Sequence, residues 1–81
     1  MKAVQLAKNP MDIVPSEVMR LLATPEGKTF GYGYGPGWSL MFGSEHGDIQ
    51  VEPGEWVVRH SNGAITVQAV APEPTGEENH V

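Results

Sequence analysis

The chain has 81 residues, 40% hydrophobic and 19% charged, with no cysteine and a formal net charge of −5. That length holds one domain and excludes a multidomain enzyme with a deep active site. The lack of cysteine excludes a disulfide scaffold, a thiolate metal site and a cysteine nucleophile. The charge is unevenly placed. Residues 1–40 carry Lys2, Lys8, Arg20 and Lys28 against Asp12, Glu17 and Glu26, whereas residues 41–81 carry Arg59 against seven acids, so the halves stand at +1 and −6. An acidic half repels phosphate backbones, which makes nucleic acid an unfavourable partner and a basic protein surface a favourable one.

Lys2 to Leu6 alternates, with Val4 and Leu6 two apart, and predicts a short first strand that Asn9-Pro10 breaks. Val14, Val18, Leu21 and Leu22 then fall at i, i+4, i+7 and i+8, the apolar stripe of a helix placed at Pro15 to Ala23. Asp12 or Ser16 is expected to cap it, and Thr24-Pro25-Glu26-Gly27 to stop it. Lys28 to Tyr34 alternates again and puts Phe30, Tyr32 and Tyr34 on one strand face. Gly35-Pro36-Gly37 read as a three-residue loop would set Tyr34 opposite Trp38, Tyr32 opposite Leu40 and Phe30 opposite Phe42.

Asn62-Gly63 is a strong two-residue hairpin signal and predicts the pairs Val58 with Val67, Trp56 with Ala69 and His60 with Ile65. Arg59 and Val57 are then on the outward face. Pro53-Gly54 turns the chain between Ile49–Val51 and Trp56–Val58, pairing Ile49 with Val58 and Val51 with Trp56. The expected fold is α+β. It is a small, strongly curled antiparallel sheet, a half-open barrel of five or six strands in the order β-α-β-β-β-β-(β), with one short helix over Ile49, Val51, Trp56, Val58, Ile65 and Val67. Residues 1–71 form the domain and residues 72–81 a flexible acidic tail. The absence of a signal-length or membrane-length apolar run leads to the expectation of a soluble protein.

Chemistry is sparse. The glycines of residues 31–37 do not match a dinucleotide fingerprint, because Pro36 and Trp38 stand where a last glycine belongs and a strand follows. Glu45, His46 and Asp48 read as a solvated turn and not as a metal site, which needs three or four ligands. No nucleophile, base and orienter share a spacing that supports catalysis, so a non-enzyme without metal or cofactor is expected. The candidate binding residues are Tyr32, Tyr34 and Trp38, aromatic rings on which a partner or ligand could stack, with Glu52 and Glu55 around the Pro53-Gly54 turn and Arg59 nearby in sequence.

Gly47, Ile49, Val51, Gly54, Glu55, Trp56, Val57, Val58 and Gly63 carry a spacing that resembles a family of small bacteriophage and prophage proteins, whose core reads G-x-[apolar]-x-V-x-x-G-D-W-I-I-x(4)-G-E. Lys2-Ala3-Val4-Gln5-Leu6 followed by a helix is similar to their upstream region. Glu55 stands for the usual Asp, Ala64 follows Gly63 where Glu is usual, and the closing elements of such proteins give way to the acidic tail. The resemblance implies a phage accessory protein acting in the cytoplasm of a bacterial host. Together with the residues it gives three expectations: a binding module on a host or phage protein in takeover or counter-defence, a sponge for a small molecule or nucleotide at a dimer interface, or a structural homo-oligomer.

Overall fold

A computed structural model describes residues 1–72. All of the segment read as a flexible tail except Pro72 lies outside the described residues. The elements are β1 (Lys2–Gln5), a 3-10 turn (Pro10–Asp12), α1 (Pro15–Leu22), β2 (Tyr32–Tyr34), a second 3-10 turn (Pro36–Trp38), β3 (Leu40–Phe42), β4 (Ile49–Val51), β5 (Trp56–Arg59) and β6 (Ile65–Gln68). The protein is α+β, in the order of elements expected. Its six strands divide between two three-stranded antiparallel sheets, β1-β5-β6 and β2-β3-β4, where one curled sheet was expected.

The division happens at Pro53-Gly54. The turn itself forms, with Gly54 at φ +90° and the Glu55 amide donating to the Glu52 carbonyl at 3.0 Å. Beyond it, however, β4 and β5 do not pair. Leu6 donates its amide to the Glu55 carbonyl and accepts from the Gly54 amide, both at 2.9 Å, so the end of the first strand takes the place beside β5. A Pro-Gly turn of this hand splays its two arms, and the N-terminal segment fills the opening.

α1 packs on β1 and β5. It starts with Pro15 at its first position, where the missing amide costs no hydrogen bond. Its cap is Val14, which has no capping side chain, and Val14 is exposed and outside the buried stripe of Val18, Leu21 and Leu22. Neither Asp12 nor Ser16 caps it. The capping oxygen upstream belongs to Asn9, whose Oδ1 accepts from the Met11 amide at 3.0 Å and closes the first 3-10 turn.

The core lies among both sheets and the helix: Leu6, Val18, Leu21, Leu22, Leu40, Phe42, Val51 and Val57, with Val4, Ile13, Met19, Ile49, Ile65 and Val67 packed against them. The last hairpin differs from expectation by one residue. Val57 pairs with Val67, Arg59 with Ile65 and Val58 with Thr66. Only Gly63 has a positive φ there, and the Asn62 side chain accepts from the Ala64 amide, so the loop is Ser61-Asn62-Gly63 with one left-handed glycine. A two-residue type I′ turn would need both Asn62 and Gly63 left-handed. A slip of one residue exchanges the faces of a strand. Val57 and Arg59 therefore point to the helix side, and Trp56 and Val58 to the other; Val58 is buried there, outside the main cluster.

Candidate functional site

The first hairpin also forms at a shifted register, and here the shift keeps the faces. Tyr34 pairs with Leu40 and Tyr32 with Phe42, and the loop is Pro36-Gly37-Trp38 instead of Gly35-Pro36-Gly37. Trp38 is thus in the turn and not across from Tyr34, and Phe30 precedes the strand. Because the partner moves by two residues, Tyr32 and Tyr34 stay on the face of Leu40 and Phe42. Ser39 fixes this register: it is fully buried, its hydroxyl donates to the Pro36 carbonyl at 2.6 Å, and it accepts from Gln50 Nε2 at 3.0 Å.

Leu40 and Phe42 are covered by the core, whereas β2 extends beyond it. Tyr32 is 44% exposed, Tyr34 79% and Trp38 70%. The Tyr32 ring lies 6.0 Å from Phe42 and meets Tyr34 edge to face, with centroids 6.1 Å apart and planes at 78°. Facing them is the segment between β1 and α1, and together they line a cleft of about 440 Å³ bounded by Pro10, Met11, Ile13, Pro15, Tyr32, Tyr34 and Trp38. Met11 on that wall is exposed, and so is Val14, its neighbour in the same segment. Three exposed aromatic rings thus share one cleft, in a domain small enough to need most of its large side chains in the core.

The loop that presents Trp38 is strained. Gly37 and Trp38 are both left-handed, at φ +66° and +67°, and Trp38 is the one non-glycine residue with positive φ among the described residues. A bulky side chain there costs about 1–2 kcal/mol, with little burial of the ring to offset it. Gly35 gives the loop its room. A Cβ on Gly35 would sit 2.6 Å from the Ser39 hydroxyl and 3.4 Å from the Met41 side chain. Gly35→Ala is expected to break the Ser39 to Pro36 bond and lower stability by about 1–2 kcal/mol. Thermal denaturation checks this, and an unchanged midpoint would mean that the buried serine has another place to go.

The other candidates are elsewhere. By extension of the β3–β4 register, Ser39 stands across from Glu52, which brings the Glu52–Glu55 turn to the same end of the sheet as Trp38. The Glu55 carboxylate is folded back, accepting from the Glu52 amide at 2.8 Å, so it closes its own turn. Arg59 is at the opposite end. Its guanidinium donates to the Leu21, Leu22 and Ala23 carbonyls at 2.9–3.3 Å and pairs with Glu45 at 2.9 Å. It closes the C-terminus of α1 and does not line the aromatic cleft. His46 lies nearby, 3.2 Å from the Gly63 carbonyl, joining the β3–β4 turn to the last hairpin.

Pro10, Met11, Ile13 and Pro15, the second wall, were missed in the sequence because they read as a strand breaker and a helix start. Among the described residues no three metal-ligating side chains come together, and no helix is long and apolar enough to cross a membrane. No family model matches the chain, and neither a curated protein nor a solved structure does.

Proposed function

We propose that this protein is a non-catalytic binding module, a bacteriophage-encoded accessory protein that acts in the host cytoplasm by holding a host or phage protein on the Tyr32, Tyr34 and Trp38 cleft. The observation that carries the reading is the pairing of exposure with strain: a tryptophan held left-handed and 70% exposed at the mouth of an apolar cleft. A fold keeps such a costly residue where the residue does something other than stabilise it. The phage origin rests on the spacing of Gly47 to Gly63 alone.

Protein is favoured over the alternatives by the character of the walls. The volume falls in the range of small-ligand pockets, which favours a sponge as the second reading. Yet the lining has no lysine or arginine to meet a phosphate, so a nucleotide would have only stacking to hold it. A homo-oligomer would use the open edges of β2 and β4 or of β1 and β6.

Affinity capture from host lysate with the intact chain, beside a Tyr34→Ala, Trp38→Ala double variant, tests the module. The expected result is a protein retained by the wild type and lost with the variant, at matched melting temperature. Equal retention by both would overturn the assignment of this cleft, and a small molecule released on denaturation of the wild type would replace the module with the sponge.

A further inference from the structure

The chemistry of the cleft specifies its occupant more closely, on the footing that it is a binding module. We infer that the cleft takes a proline-rich segment of the partner in the polyproline II conformation, oriented by a basic residue that meets Asp12. Three features of the site support this.

The first is the donor set. Tyr32, Tyr34 and Trp38 each carry one side-chain N–H or O–H, and among the described residues none of these three side-chain donors has a hydrogen-bond partner in the fold. A polyproline II segment has no internal hydrogen bonds, so its carbonyls need donors from outside. An amphipathic helix has used its carbonyls already and would ask only for apolar surface. The second feature is shape. One wall is aromatic and the other is built by Pro10 and Pro15 around Met11 and Ile13, rigid and flat-sided; pyrrolidine rings fit between such faces, and the ligand loses little conformational freedom on binding.

The third is charge. Asp12 follows Met11 in the turn that forms the second wall and is exposed, and Glu52 lies at the Trp38 end of the sheet. The one salt bridge among the described residues is Arg59 with Glu45, so Asp12 has no ion-pair partner there, whereas Glu52 shares its turn with the Lys8 side chain packed beside Gly54. An uncompensated acid beside an apolar cleft complements an arginine or lysine flanking the proline run. It also disfavours a phosphorylated or acidic ligand.

Fluorescence anisotropy with the full chain tests the inference. The probe is a labelled decapeptide with prolines at i and i+3 and a terminal arginine. The first control has alanine for every proline, which removes the preformed polyproline II geometry, and the second has glutamate for arginine. The expected result is that the proline peptide binds about tenfold or more tightly than the alanine control, a difference of about 1.4 kcal/mol. Tyr34→Phe, which keeps the ring and loses the hydroxyl, is expected to weaken binding about fivefold. Asp12→Asn is expected to weaken it about threefold, for the arginine peptide only. Equal or tighter binding of the alanine control would overturn the inference and leave a module that does not read proline. No binding of any peptide, with lysate capture still dependent on Tyr34 and Trp38, would overturn it and leave the module intact. If capture fails as well, both fall.

Discussion

Arg59→Ala is expected to lower stability by about 3 kcal/mol, enough to reduce the melting temperature by about 15 °C in a domain of this size. The side chain is 17% exposed and is the shared partner of three carbonyls at the end of α1 and of the Glu45 carboxylate. Removing it leaves those carbonyls unpaired where water reaches them poorly, and takes a cation from the negative end of the helix. Glu45→Gln removes only the ion pair and is expected to cost less than about 1 kcal/mol, because the carboxylate is 32% exposed and screened by solvent. Arg59→Lys keeps the charge but not the planar fork, and should recover less than half of the loss. Denaturant unfolding of the three variants checks the order. If Arg59→Ala and Glu45→Gln cost the same, the carbonyl bonds carry no weight and the arginine is held by its acid alone.

Trp38→Asn is expected to do the opposite to stability and to abolish binding. Asparagine occupies the left-handed region readily, so the exchange relieves about 1 kcal/mol of backbone strain. The ring that is lost is mostly exposed and contributes little burial. The melting temperature should rise by about 4–8 °C, while the partner captured by the wild type is lost. A variant both more stable and inactive is the signature of a residue kept for a contact outside the fold. A fall in the midpoint would show instead that Trp38 stabilises its loop, and the strain would then lose its meaning as evidence for function.

Much of the architecture was legible because local signals were strong. The alternation of Lys2 to Leu6, the stripe of Val18, Leu21 and Leu22, and the glycines at positions 35, 37, 54 and 63 marked the strands, the helix and the turns. What the sequence did not carry was register and partner choice. One residue of loop length at Asn62-Gly63 decides whether Val57 or Val58 joins the main core, and both are valines, so the hydrophobic pattern could not arbitrate. Leu6 bonding to the Pro53-Gly54 turn is a contact between distant segments, and no local rule announces it.

The candidate site divided in the same way. Tyr32, Tyr34 and Trp38 line one cleft, but Trp38 reaches it from the turn and not from the strand position opposite Tyr34 that the expected loop gave it. Arg59, by contrast, was assigned outward on the expected register, and the observed one turns it under the helix. The wall of Pro10 and Met11 had no signal of its own, since a proline and a methionine before a helix are ordinary.

The pairing of Lys2 with Arg59 has a consequence for the order in which the chain assembles. The β2-β3-β4 meander and the β5-β6 hairpin join neighbours in sequence and can close within a short search. β1 has to find β5 across more than fifty residues, a slow closure that is repaid only when Leu6 and the helix following it reach the interior. Closure entropy thus favours the aromatic strand forming ahead of the segment carrying Pro10 and Met11, whose arrival completes the cleft and covers Leu40 and Phe42. The cleft is therefore a late product of folding, completed only when the two ends of the chain's longest-range strand pairing meet.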